Sequence, residues 1–349
     1  MTYQLSTQHW KRLHGEALAK GNIKTYADDF VVEEELGFEL MGEGEHHLLW
    51  IEKLNTNTAY VAEVLAKFSG IPLRDISYAG RKDKFARTRQ YFSVYQGKHS
   101  TPDWSRFHHD DIRILQTTRH NKKLRTGALQ GNRFSLVVRN FAIANFASLE
   151  NRMQAIQSLG VPNYYGQQRF GETREGSTNG NLQLGLRMVS GEKIKNRNKR
   201  SMAISALRSF LFNEVVSHRI ENQSHNTILL GDALQLSGNN SYFLVKADES
   251  LGDLHTRLSE HDIFITAPLC GSGKSITQSD AKTIEQEALH KHKAIIENLA
   301  NIGLKQERRA LMLYPKGLKW TFEKNTLELS FSLPAGCFAT AVLREIVNT

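Results

Sequence analysis

Hydrophobic runs passing into charged positions mark residues 30–35 (FVVEEE) and 47–53 (HLLWIEK). These are two β-branched or aromatic runs separated by the turn-rich segment 42–45 (GEGE), and the pattern predicts two strands. Residues 56–70 switch to helical spacing: Val61, Val64, Leu65 and Phe68 fall at i, i+3, i+4 and i+7, with Thr56 or Asn57 able to cap the start and Gly70 the end. Short strands are predicted at 76–79 and 90–96 (QYFSVYQ). The clearest strand is 131–141 (GNRFSLVVRNF), in which Phe134, Leu136 and Val138 share one face. A helix follows over 145–159, with Leu149, Met153 and Ile156 on one side. Strands and helices mixed without a βαβ rhythm predict an α+β fold with a largely antiparallel sheet.

The texture changes after Gly160. Residues 163–185 are rich in Gly, Asn, Gln and Tyr and show little periodicity. Helices are predicted at 202–220 and 281–302, with short strands such as 242–246 and 263–266 between them. From Arg308 the strand pattern resumes, at 310–314 and at 327–333 (LELSFSL). A helical middle between two strand-rich flanks suggests an inserted domain with edges near Gly160 and Gly303, the flanks joining into one sheet. The expected organisation is a first catalytic segment 1–159, an insertion 160–305 and a C-terminal catalytic segment 306–349.

A length of 349 residues fits roughly two domains. The 45 Lys and Arg against 36 Asp and Glu give a net charge of +9, which favours a polyanionic partner, nucleic acid ahead of a membrane. A hydrophobic content of 40% excludes a disordered chain. No apolar run reaches the roughly 18 residues of a spanning helix, and the polar start, residues 1–15, lacks the apolar region of a secretion signal. Two cysteines, Cys270 and Cys337, supply neither a disulfide framework nor a cysteine-based zinc site. The expectation is a soluble, cytoplasmic, basic globular protein.

Several motifs invite chemistry and fail on spacing. Residues 268–275 (PLCGSGKS) end like a phosphate loop, but Pro268 stands where its first glycine is required, so a glycine-rich turn fits better. The histidines include no HExxH, and the adjacent pairs His46–His47 and His108–His109 would point to opposite faces of a strand, which argues against a metal site. Two segments are strongly basic. One carries Arg106, Arg113, Arg119, Lys122, Lys123, Arg125, Arg133 and Arg139. The other carries Lys193, Lys195, Arg197, Lys199 and Arg200 with no acid among them, near Tyr164, Tyr165 and Phe170. Cations beside aromatic rings suit RNA better than duplex DNA. In residues 78–90 (YAGRKDKFARTRQ) one carboxylate, Asp83, stands among Arg81, Lys82, Lys84, Arg87 and Arg89. Cations so close favour the ionised carboxylate. Such a group can act as nucleophile or base, or can simply close a turn in a basic loop.

Residues 79–90 (AGRKDKFARTRQ) resemble the signature AGxKDxxAxTxQ of the TruD family of tRNA pseudouridine synthases. Further blocks resemble the family in the same order: 30–34 (FVVEE), 42–46 (GEGEH), 131–134 (GNRF), 162–171 (PNYYGQQRFG) and 333–340 (LPAGCFAT), followed by 343–345 (LRE). Together they span nearly the whole chain. Within the insertion the match runs mainly through PNYYGQQRFG and 207–213 (LRSFLFN). The resemblance implies a pseudouridine-synthase-like α+β catalytic domain, with a mixed, largely antiparallel sheet, interrupted by an inserted α+β TRUD domain.

The implied activity is isomerisation of a uridine in the tRNA D arm, at position 13, to pseudouridine. Asp83 is implied as the catalytic nucleophile or base. Phe30, Asn132, Phe134, Phe338 and Arg344 are implied as substrate-binding residues, holding a base flipped from its stack. Arg344 is placed either to pair with Asp83 or to cap a helix. Lys195, Arg197 and Lys199 are candidate contacts to the RNA backbone. The exchange changes no oxidation state, so no cofactor or metal is implied. The expected partner is tRNA, bound by a monomer with no obligatory protein partner. The competing reading is a non-catalytic RNA-binding or RNA-chaperone protein on the same fold.

Overall fold

Asn132, Phe134, Leu136 and Val138 alternate onto one buried face of the strand Leu129–Arg139, while Arg133 and Ser135 point away from it. The computed structural model describes residues 5–171 and 180–349. Residues 1–4 and 172–179, the latter inside the aperiodic stretch 163–185, lie outside the described residues. The described residues form two units. One falls within Met1–Glu16, Ser158–Tyr314 and Thr340–Glu345, the other within Ala17–Gln157, Pro315–Ala339 and Ile346–Thr349.

The second unit is built on a mixed, largely antiparallel sheet. Its strand order is Lys316–Glu323, Thr326–Pro334, Leu129–Arg139, Phe30–Leu36, Arg87–Tyr95, His46–Leu54 and Ile112–His120. Asn22–Ile23 adds to Leu129–Arg139, and Ile76–Tyr78 adds to Arg87–Tyr95. Within this sheet only Phe30–Leu36 and Arg87–Tyr95 run parallel among the described residues.

His46–Leu54 is buried on both faces. On one, Leu49 and Ile51 pack with Phe92, Val94 and the helix Thr58–Ser69 through Val61 and Leu65. On the other, Leu48 packs with Ala79 and Leu124. Gly70 ends the helix in the left-handed conformation, φ 70°, where its missing Cβ removes the strain. The helix Phe146–Leu159 buries Leu149, Met153 and Ile156, and its Glu150 accepts from the Trp320 indole at 2.7 Å.

In the first unit the helix Arg197–Glu221 packs on an antiparallel sheet ordered Tyr242–Leu244, Ala233–Leu236, Ile263–Leu269, Glu307–Ala310. A buried ion pair, Arg219 with Asp232, ties the helix end to the turn that enters this sheet. Trp10 contacts the rings of Tyr164, Phe170 and Phe210.

Two of the predicted runs fold differently from the sequence pattern. The run 310–314, grouped above with the C-terminal flank, belongs to the first unit: Glu307–Ala310 pairs with Ile263–Leu269, and Met312–Leu313 pairs with Val161–Pro162. Strand periodicity marks a half-buried ribbon but not its partner. The helix expected over 281–302 is interrupted by a tight turn at His290–His292, where His292 is drawn against Phe210 and, at 3.5 Å, Glu214. The glycine-rich loop after Ile263–Leu269 is a packing feature: a methyl on Gly271 would collide with the Leu304 carbonyl.

Gly131 faces the same constraint, because a methyl there would strike the Leu333 carbonyl across the central strand pair. Gly131→Ala is expected to cost about 1–3 kcal/mol, as overpacking does, and to lower the midpoint of thermal unfolding. Gly37→Ala, whose methyl meets nothing nearer than 3.5 Å, should melt like the parent chain.

Candidate active site

Ile76–Tyr78 and Arg87–Tyr95 pair antiparallel, so the residues between them close a loop at one end of the sheet. Hydrogen bonds from neighbouring elements hold that loop at successive points. Buried Gln90 donates from Nε2 to the Gly80 carbonyl at 3.1 Å and accepts from Thr58 Oγ1 at 3.0 Å. Thr58 Oγ1 in turn accepts from the Lys82 N–H at 3.0 Å. The Lys82 ammonium lies 2.7 Å from Glu34 Oε1. Lys53 Nζ donates to the Asp83 carbonyl at 2.7 Å, and the Asn55 N–H donates to the Ala86 carbonyl at 3.2 Å.

The Asp83 side chain is 27% exposed and faces Lys24, with 3.6 Å between Oδ2 and Nζ. Lys24 follows the short strand Asn22–Ile23 in the left-handed region, φ 56°, and its ammonium sits 4.0 Å over the Phe30 ring. Beneath the loop, Glu34 is fully buried and takes the Tyr91 N–H on its second oxygen at 2.9 Å. Burial raises the Glu34 pKa, while Lys82 and the Tyr91 N–H pull the other way. Burial draws Lys53 down to about 8. The Asp83 charge opposes this, and the Lys82 charge adds to it.

Strand register sets the residues beside the loop. Asn132 stands opposite Glu34 on one side and Leu333 on the other. Its Oδ1 is buried and has no hydrogen-bond partner among the described residues, which is costly unless a ligand supplies a donor. Phe30 and Phe134 meet edge-to-face at 6.3 Å, and Phe134 lies 5.6 Å from Phe331. They are only 2% and 5% exposed, so they pack into the floor instead of presenting the open stacking surface expected of them. Phe338 is half-buried. It follows a turn in which the Ala335 N–H bonds the Gln130 carbonyl at 3.1 Å, tying it to the strand end that carries Asn132.

Lys24 supplies a cation at the Asp83 carboxylate. The Arg344 guanidinium bonds the carbonyls of Lys11 and Trp10 and the Glu345 carboxylate, and stacks over Tyr164 at 4.9 Å. Lys195, Arg197 and Lys199 are exposed around the start of Arg197–Glu221, where Asn196 caps the helix by accepting from the Lys199 N–H at 3.0 Å. Sequence reasoning missed Lys24, Lys53 and the Glu34–Lys82 pair. Lys53 carries one signal, a lysine directly after the apolar run 48–51 and Glu52 in a strand buried along most of its length.

The model of the family tRNA pseudouridine synthase D (TruD) matches residues 13–195 and 192–346. The chain belongs to the TruD family. It is similar to the tRNA pseudouridine synthase D of Pseudoalteromonas atlantica, with 46% identity over 99% of this chain and 97% of that one. It is 45% identical to that of Proteus mirabilis, over 97% and 95% of the two chains. The crystal structure assigned to TruD of Methanosarcina mazei covers 99% of this chain and 96% of its own, with a TM-score of 0.72 at 22% identity, so the two share a fold. The residues of the TruD signature form the clamped loop and the start of the strand after it, with the Asp83 side chain part-exposed.

Lys82→Met leaves Glu34 buried without its cation and should cost about 3–5 kcal/mol at neutral pH. A carboxyl whose folded pKa is raised is neutral in the fold below that pKa. The loss should therefore shrink as pH falls toward the ordinary value of 4.5 and grow as pH rises. Denaturant unfolding of the variant and the parent chain between pH 5 and pH 8 measures this.

Proposed function

We propose that this chain converts the uridine at position 13, in the D arm of tRNA, to pseudouridine, with Asp83 acting on the flipped nucleotide. As a TruD-family chain it is a tRNA pseudouridine synthase, an isomerase. The observation that supports the finer reading is the clamped loop. It offers a part-exposed carboxylate beside Lys24, at the sheet end where Asn132 keeps an unpartnered buried amide oxygen.

In the reaction the bond from uracil N1 to ribose C1′ breaks and a bond from C5 to C1′ forms. N1 gains a proton and C5 releases one. Nothing is oxidised or reduced, and no metal or cofactor is required. Three steps are open to the carboxylate: attack at C1′, attack at C6, or removal of a ribose proton. Each requires it within contact distance of a nucleotide extruded from its stack. The Asn132 amide can accept from uracil N3–H and donate to a uracil oxygen. Cytosine, which lacks that N3–H, would leave the Oδ1 unpaired. Phe338 can cover the base, with Phe30 and Phe134 supporting the floor below.

Lys195, Arg197 and Lys199 would hold the tRNA backbone. Cations in the first turn of a helix oppose its dipole, and a bound phosphate relieves both. No helix among the described residues is long and apolar enough to cross a membrane. We assign the protein to the cytoplasm, working as a monomer with no obligatory protein partner.

Asp83→Asn keeps the size of the side chain and removes its charge. It should retain the fold and tRNA affinity while release of tritium from 5-tritiated tRNA uridine falls below detection. Turnover by the Asn variant would remove Asp83 from the mechanism. Tight tRNA binding with no turnover by the unsubstituted chain would favour a non-catalytic RNA-binding protein. Replacing Lys195, Arg197 and Lys199 with Ala should weaken tRNA binding and reduce the slope of log affinity against log salt by about two to three. An unchanged slope would show these side chains to be a solvated face.

A further inference from the structure

Lys53 lies in His46–Leu54, the strand paired on both sides and buried on both faces, and is 0% exposed. A buried ammonium is costly unless its surroundings compensate. No ion pair within 4 Å is recorded for it among the described residues. Its compensation is the carbonyl of Asp83 at 2.7 Å and the field of the Asp83 carboxylate.

We propose that Lys53 is a positioning residue for the isomerisation, holding the main chain of Asp83 so that its carboxylate meets the flipped nucleotide in the productive place. The inference rests on the reading of Asp83 as the group that acts on the nucleotide. The other anchors grip the loop at Gly80, Lys82 and Ala86. The Lys53 bond is the one to the Asp83 main chain among the described residues. Without it, the loop stays attached at its flanks while its centre is free to shift. A displacement near 1 Å can cost roughly a hundredfold in rate without touching binding.

The charged groups around this point are Asp83, Lys82 and Lys24 from the loop and its surroundings, and Glu34, which pairs with Lys82 from Phe30–Leu36 on the far side of Arg87–Tyr95. With Lys53 drawn down to about 8, its ammonium is about nine-tenths populated at pH 7, half at pH 8 and about a tenth at pH 9. The neutral amine grips a carbonyl less strongly than the ammonium does. The rate of the chemical step should therefore decline as pH rises through 8, at unchanged tRNA affinity.

Single-turnover tritium release at saturating 5-tritiated tRNA, measured from pH 7 to pH 9, tests this for the unsubstituted chain, Lys53→Met, Lys53→Arg and Asp83→Asn. Lys53→Met is expected to lose about tenfold to a hundredfold in rate, with tRNA affinity unchanged within about twofold and the alkaline decline gone. Lys53→Arg, which keeps the donor and the charge but does not titrate in this range, should recover part of the rate and show no decline. Should the Met variant fail to fold, the unsubstituted chain still decides: a rate flat to pH 9 overturns the proposal. So does a Lys53→Met variant at full rate, or one that keeps the alkaline decline. An active Asp83→Asn variant would bring down the functional reading itself. An inactive one beside a fully active Lys53→Met variant removes the Lys53 role alone.

Discussion

The backbone pairing of Leu129–Arg139 with Phe30–Leu36 on one side and Thr326–Pro334 on the other is the constraint on which the second unit depends. A buried strand has to place its N–H and C=O groups in a ladder. This one does so with segments far apart in sequence, against the entropy of closing long loops. What offsets that entropy is apolar burial on the shared face, where Phe30, Phe134, Leu136, Phe331 and Leu333 are all nearly inaccessible. The same ladder fixes the side-chain register, and a slip of one residue would turn the whole face outward. Glu34, Asn132 and Leu333 stand in one row for that reason, and the Asp83 loop rests on the end of that row through the Lys82–Glu34 pair.

Around Asp83 the fold gathers cations that nearby acids compensate only in part. Lys82 is matched by Glu34, and Lys24 faces the carboxylate. Lys53 is buried against a carbonyl and leans on the Asp83 charge. Buried charges are a weak source of stability but a strong source of geometry, because each has few positions in which it is satisfied. The Asn132 amide oxygen, buried and without a partner among the described residues, is the opposite case: a polar group left open in the strand row that carries Glu34. Fixed charge around the carboxylate and an unfilled acceptor beside it are what a site for a polar, planar base requires.

Edge position explains most of the elements that periodicity did not reveal. Ile112–His120 and Lys316–Glu323 are the two outer strands of the large sheet, and both are rich in exposed polar residues. Their ladder bonds are made to an apolar neighbour, so the strand state is imposed from one side. The short helix Leu251–Ser259 buries only Leu254 and Leu258, too few positions for a clear helical stripe.

By itself the sequence determined the elements with a strong internal period. The helix Thr58–Ser69 closed by Gly70, the helix Phe146–Leu159 and the strand Leu129–Arg139 are each set by which of their own residues must leave water. It also marked the Asp83 loop, through the density of cations around a single acid and through the family signature. Tertiary structure decided what those charges do. It put Lys24 at the Asp83 carboxylate, bound Arg344 to the carbonyls of Trp10 and Lys11, and buried Phe30 and Phe134. It also turned Lys53, one residue in a strand, into the anchor of a loop thirty positions away. The physical reason is range. Periodicity records burial, which each residue meets alone, whereas an ion pair or a clamp is a relation between residues that only the folded chain brings within a few ångströms.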